Sequence, residues 1–322
     1  MIMPSFILAL IVFIFIIIFK KQIKQFLCRL YNLIENKIIK PFFNNHQKLR
    51  KIIKDRFDKN NKYGLKLTIF LTLILICVIW FISIGEGYIN QELIYQYDFK
   101  LNNLFLFFRN QNLTNIFTFI TNIADPKMIL IGTVLFSVFL YISKNKEYLF
   151  PFFISIGSTT ILDYVLKFAF NRPRPSMSLY IESNASFPSG HSSIIVAFIG
   201  FICYFIVKNS KKNKALYIIT CIVICLLVGV SRLYLGAHYL SDILGGFLLG
   251  SVSLLSSICI SELFFINNSK EKRIKNLYLF VLIFIVILIF FTILFKRTIN
   301  SDKISFQNDI YDNNLKYLSF YK

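Results

Sequence analysis

The chain has 322 residues, 56% hydrophobic and 17% aromatic but only 16% charged, against about 45–50% apolar and 25% charged in soluble domains, which argues against a water-soluble globule. Its Phe, Ile and Leu content excludes disorder, and the lack of a Gly-X-Y or heptad repeat excludes collagen-like and coiled-coil designs. The 36 Lys+Arg against 16 Asp+Glu leave a formal charge of +20, and its placement decides between nucleic acid, anionic membrane and topology control.

A membrane-crossing helix needs about 20 largely apolar residues. In chain order, apolar runs predict eight spans at 2–19, 67–84, 128–143, 148–166, 192–207, 215–231, 243–261 and 277–295. That density, with no alternating barrel pattern, predicts an all-α membrane protein, because hydrocarbon cannot satisfy exposed backbone polar groups. The 2–19 run lacks a basic leader and a small-residue cleavage site, so it is expected to be a retained anchor. Of the cysteines, Cys77, Cys203, Cys221, Cys225 and Cys259 lie inside apolar runs and Cys28 outside them, and all are read as small apolar residues.

The segment from Lys20 to Lys66 holds fourteen Lys/Arg and three Asp/Glu, which assigns it to the cytosol by the positive-inside rule. Its bases are interleaved with Ile, Leu and Phe, the pattern of a surface helix on anionic lipid or of a topology signal rather than of a nucleic-acid site. His46 within it is expected to be solvated. Residues 86–127, with four acids and three bases, then fall outside, and the basic loops 144–147, 208–214 and 270–275 fall inside. Leu101, Leu104, Phe105 and Phe108, then Leu113, Ile116, Phe117 and Ile120, recur at helical spacing, predicting one or two interfacial helices on the outer side.

Ionisable residues close to apolar spans mark function, and they come in three blocks: residues 167–175 (KFAFNRPRP), 188–191 (PSGH) and 231–242 (SRLYLGAHYLSD). Loop charges put all three on the outer face, so they can meet. Lys167, Arg174 and Arg232 have few acids nearby in sequence, and together they call for a multiply charged anion such as a phosphoryl group. Ser189 and Gly190 precede the fifth predicted helix, whose N-terminus adds donors for the same anion. His238 and Asp242 are four apart and share a face if the seventh helix has begun. The carboxylate would then fix the tautomer and leave the other ring nitrogen free to attack, while His191 could protonate the departing oxygen. Simpler readings stand beside these. Lys167 could be neutralised by Asp163 four residues earlier. Arg172 reads as a loop cation or headgroup contact, and Tyr234 and Tyr239 as interfacial belt residues. A metal site on His191, His238 and Asp242 is disfavoured by the three cations.

The blocks Lys167-x6-Arg174-Pro175, Pro188-Ser189-Gly190-His191 and Ser231-Arg232-x5-His238-x3-Asp242 resemble the three-part signature of the type 2 phosphatidic acid phosphatase superfamily. The resemblance implies a six-helix phosphatase core at 65–265. Around it stand an N-terminal transmembrane anchor at 1–19, a cytosolic basic amphipathic segment at 20–64, and a loop, eighth span and tail at 266–322. It implies hydrolysis of a phosphate ester or anhydride through a phosphohistidine on His238, activated by Asp242. His191 would be acid and then base, and Lys167, Arg174, Arg232 and the Ser189 and Gly190 amides would hold the phosphoryl oxygens, with no metal or other cofactor. It further implies a lipid substrate such as undecaprenyl diphosphate, phosphatidic acid or phosphatidylglycerophosphate. The site would be extracytoplasmic, on a multi-pass plasma-membrane protein of a bacterium. The same residues leave open an anionic-lipid transporter or binder, and phosphotransfer to an acceptor other than water.

Overall fold

The computed structural model describes residues 64–180, 182, 184–210 and 213–262, and all but 64–68 belong to the compact unit Ile69–Lys322. The expected anchor at 2–19, nearly all of the basic segment with His46, and the expected span at 277–295 lie outside these residues.

Eight α-helices and no strand occur among the described residues: α1 Leu65–Ile89, α2 Leu93–Phe107, α3 Gln111–Asn122, α4 Pro126–Ile142, α5 Leu149–Phe170, α6 Gly190–Asn209, α7 Lys214–Tyr234 and α8 Leu240–Ile260. Local chemistry sets their ends. Asn110 caps α3 by accepting from the Leu113 N–H at 2.9 Å, and Asp125 caps α4 by accepting from the Lys127 N–H at 3.0 Å, with Pro126 in the first turn. Asn171, left-handed at φ 40°, ends α5 with its N–H on the Lys167 carbonyl.

Helices α1, α6, α7 and α8, and α5 with its preceding turn, are long and apolar enough to cross a membrane. At 17 residues α4 is shorter, and it makes a sixth candidate span together with α3, from which it bends by 43°. Each of the six spans expected between 67 and 261 overlaps one of these helices. Most helices continue beyond the apolar runs, because polar residues at a membrane surface do not stop backbone hydrogen bonding.

The two expected surface helices are α2 and α3, with an orientation that apolar spacing does not convey. Asp98, Asn102, Thr114, Thr118, Thr121 and Asn122 are buried, whereas Leu104, Phe107, Phe108, Leu113, Ile116 and Phe119 are exposed. Both helices pack on α7, and α2 also on α8. Their buried polar residues therefore face protein together with Phe105, Phe117 and Ile120, while the exposed apolar residues face outward, the arrangement favoured where the surroundings are lipid.

The apolar core joins α4, α5 and α6 through Phe136, Phe152, Phe198, Phe201 and Phe205, with Phe136 at 4.9 Å from Phe152 and 5.6 Å from Phe205 in edge-on contact. Helices α6 and α8 approach most closely. A Cβ at Gly246 would run into the Ser189 carbonyl, and one at Gly250 into the Ser193 carbonyl and Val196, so these small residues let two backbones nearly touch. Gly250→Val is expected to destabilise the fold by about 1–3 kcal/mol, read as a lower unfolding midpoint in detergent. An unchanged midpoint would remove this account of the α6–α8 crossing.

Candidate active site

The C-terminal ends of α5 and α7 and the N-terminal ends of α6 and α8 lie at one end of the bundle. The three sequence blocks sit there. Backbone hydrogen bonds fasten them together: Ser189 N–H to the Asp242 carbonyl at 2.9 Å, Ser186 N–H to Arg172 at 2.8 Å, and Leu179 N–H to Leu235 at 3.0 Å.

His238 lies before α8 rather than on it, with Tyr239 as N-cap and Leu240 as first helical residue. The expected shared helical face is therefore corrected. The chain turns at the cap, and Asp242, in the first turn, reaches back toward the ring. Asp242 Oδ2 accepts from the Tyr239 N–H at 2.9 Å and from the Ser186 hydroxyl, and lies 3.5 Å from His238 Nδ1. On the other side of the ring, Arg174 Nη1 is 3.2 Å from His238 Nε2. A guanidinium only donates, so Nε2 presents its lone pair and Nδ1 carries the proton toward Asp242. His238 is 1% exposed. Burial pushes its pKa down to about 3; the Asp242 hydrogen bond opposes this, and Arg174 and Arg232 add to it. The ring is neutral at pH 7.

Arg174 and Arg232 converge as expected, but on a carboxylate. Glu182 Oε2 is 2.7 Å from Arg174 Nη2 and its Oε1 is 2.7 Å from Arg232 Nη2. Burial pushes the Glu182 carboxyl up, but Arg232 and Arg174, then His238 and His191, outweigh it and hold it well below the usual range. Two oxygens of one anion are thus gripped by two guanidiniums beside Nε2. Arg174 is anchored further on the Asn184 and Ala237 carbonyls at 2.8 Å each, and Arg232 Nη1 on Thr121 Oγ1 at 3.2 Å. Lys167 Nζ pairs with Asp163 Oδ2 at 2.9 Å, and a Cβ at Gly190 would lie 3.1 Å from that nitrogen, so the amine sits at the α6 N-terminus. The expectation of cations with few acids nearby is corrected: each of the three has a carboxylate partner.

His191 is the second residue of α6 and is 9% exposed. Ser189 is wholly buried as the α6 N-cap. Its N–H is committed to Asp242, and its hydroxyl accepts from Ser192 at 3.0 Å, so it acts as a joint between α6 and α8. The orphan N–H groups of the following first turn remain the terminus's donors. Arg172 is neither a loop cation nor a headgroup contact. It is 2% exposed and pairs with Asp98 at 2.7 Å and Asp242 at 2.6 Å. Tyr239, read as a belt residue, lies under its guanidinium at 4.3 Å, and Tyr234 is 1% exposed, its hydroxyl accepting from the Asn110 N–H at 3.0 Å.

Four contributors escaped the sequence reading. Asp98 and Glu182 stand in segments with no motif. Ser186 and Ser241 are unmarked serines, although Ser241 adjoins Asp242 and Ser186 precedes the PSGH block by two residues.

Residues 148–266 match the model of the PAP2 superfamily. Over 125 residues the chain is 42% identical to phosphatidylglycerophosphatase B of Bacillus subtilis (strain 168), covering 37% of this chain and 56% of that protein. Over 123 residues it is 24% identical to an Escherichia coli (strain K12) protein provisionally described as an undecaprenyl-diphosphatase, covering 36% of this chain and 58% of that one. The chain thus spans little more than half the length of these relatives. The crystal structure of a transmembrane PAP2-type phosphatidylglycerolphosphate phosphatase from Bacillus subtilis superposes with a TM-score of 0.55 at 28% identity, over 57% of this chain and 94% of that one.

Proposed function

With a PAP2 superfamily domain at 148–266 as the core of a multi-pass membrane protein, we propose that the chain is a phosphatase that removes a phosphoryl group from a membrane lipid through a phosphohistidine on His238. The observation that carries this is His238 Nε2, its lone pair directed at Arg174, beside an anion seat already filled by a bridging carboxylate.

In the first step Nε2 forms a bond to phosphorus, the bond from phosphorus to the lipid oxygen breaks, and that oxygen takes a proton from His191. Asp242 faces the imidazolium charge that develops on Nδ1. In the second step water attacks the phosphoryl group and gives a proton to His191. The N–P bond breaks, Nε2 recovers its electron pair, and inorganic phosphate leaves. Arg174, Arg232 and Lys167, with the α6 terminus, hold the phosphoryl oxygens once substrate displaces Glu182. No step calls for a metal.

The names of the relatives support a glycerophospholipid phosphate or a polyprenyl diphosphate as substrate. Both place an anion at the membrane surface and an apolar tail among helices. The basic residues Lys144, Lys146, Lys208 and Lys214 stand at the opposite end of the bundle from the site, which supports an extracytoplasmic site by the positive-inside rule. The basic segment from Lys20 to Lys66 is proposed to lie on anionic lipid of the cytosolic leaflet.

Purified full-length protein given phosphatidylglycerophosphate, phosphatidic acid or undecaprenyl diphosphate in EDTA is expected to release inorganic phosphate from at least one. Release restored only by Mg²⁺, or label passing across vesicles with its lipid intact, would refute this reading.

A further inference from the structure

Arg172 and Asp98 do more than fill space behind the dyad. The Arg172 guanidinium is 2.6 Å from Asp242 Oδ1 and 2.7 Å from Asp98 Oδ2, with all three side chains essentially without solvent contact. It lies between the Tyr88 and Tyr239 rings, 4.3 Å from each centroid. Asp98 Oδ1 accepts from the Ser241 N–H at 2.9 Å, and its Oδ2 accepts from the Ser241 hydroxyl at 2.5 Å. That hydroxyl in turn accepts from Arg172 Nη1 at 2.6 Å. Asp98 thus grips the first turn of α8 one residue before Asp242, and Arg172 holds the Asp242 oxygen that faces away from His238.

Charge gives this arrangement a consequence for the reaction. Arg172 alone beside Asp242 would make a neutral pair with little to offer a positive ring. Asp98 adds a second negative charge, so the buried cluster carries a net −1 next to the imidazole, in surroundings where screening is weak. Stability is a poor reason to keep such a cluster, since buried ion pairs are often replaceable by apolar residues without loss. Asp98 also lies in α2, outside residues 148–266 that match the superfamily model.

Resting on the phosphohistidine reading above, we propose that Asp98 and Arg172 are positioning residues for the same reaction. They orient Asp242 and keep one net negative charge facing His238, so that the outward helix α2 completes the site.

The test uses full-length protein in lipid nanodiscs, a lipid phosphate that the wild type hydrolyses, orthovanadate as a five-coordinate mimic of phosphoryl transfer, and inorganic phosphate as a ground-state ligand. Asp98→Asn retains size and an acceptor for Ser241 but makes the cluster neutral. It is expected to lower kcat by about 10–100-fold, the usual scale for groups acting through a reacting residue. KM and inhibition by phosphate should stay within about twofold, while vanadate inhibition weakens in parallel with kcat. The double variant Asp98→Asn/Arg172→Gln returns the net charge to −1 and is expected to be about tenfold faster than Asp98→Asn alone, a coupling of the opposite sign to accumulated damage.

If Asp98→Asn does not assemble, the double variant decides: vanadate-over-phosphate selectivity within about tenfold of wild type upholds the relay, and greater loss overturns it. Wild-type kcat in Asp98→Asn, parallel shifts of KM, phosphate and vanadate, or a double variant slower than the single overturns the relay alone. Failure of the wild type to release phosphate overturns the hydrolase reading and the relay with it.

Discussion

His238→Ala is expected to lower phosphate release from a lipid substrate by at least ~10³-fold, on the scale of other nucleophile deletions. The expectation follows from the geometry at Nε2. The ring is held neutral by burial, its lone pair is turned toward Arg174, and the anion seat of Arg174 and Arg232 is adjacent. The substitution leaves the seat intact: Arg174 keeps the Asn184 and Ala237 carbonyls, and Asp242 keeps the Tyr239 N–H, Ser186 and Arg172. Binding of inorganic phosphate should therefore persist while turnover disappears. Acid-labile, alkali-stable label from a phosphate-labelled lipid should appear on the wild type and be absent from the variant. A variant with activity within about tenfold of wild type would exclude His238 as nucleophile, since a bypass by water alone is far slower.

Asp242→Asn is expected to cost on the order of 10²–10⁴-fold in kcat, by the logic of a carboxylate that fixes a catalytic tautomer. The amide has no comfortable orientation here. With its oxygen toward Tyr239 N–H and Ser186, its NH₂ opposes the Arg172 guanidinium, which also donates. With the amide reversed, the NH₂ faces the Tyr239 N–H and donates toward Nδ1, selecting the ring form whose proton sits on Nε2. In that form the attacking lone pair is gone. The loss should not add to that of His238→Ala, because the two residues serve one step. Phosphate release by Asp242→Asn within about threefold of wild type, with His238 still labelled, would remove the tautomer argument, which demands a far larger effect.

Much of the architecture was legible because its cause is local. Charge-free runs mark α1 and α4 to α8, and alternating basic loops place the three blocks at one end of the bundle before any distance is known. The spacing of His238 and Asp242 was read correctly as a pair, but for a helical reason that does not hold. The contact arises from a turn at the Tyr239 cap, which brings an N-terminal carboxylate back over the preceding residue. The apolar periodicity of α2 and α3 identified helices without saying which stripe faced the protein. That depends on the solvent outside, and here the threonines and Asp98 turn inward.

By itself the amino-acid sequence determined the all-helical membrane character, the order of the spans, and the three blocks that meet at one end of the bundle. Hydrophobic runs and motif spacing act over a few turns of chain, so they survive in one dimension. Only the tertiary structure decided which distant charges meet: Glu182 between Arg174 and Arg232, and Asp98 through Arg172 to Asp242. Electrostatic interaction depends on distance in space and on burial, not on sequence separation. Asp98 and Ser241 stand 143 positions apart along the chain, a separation no spacing rule records, yet they lie within hydrogen-bonding reach.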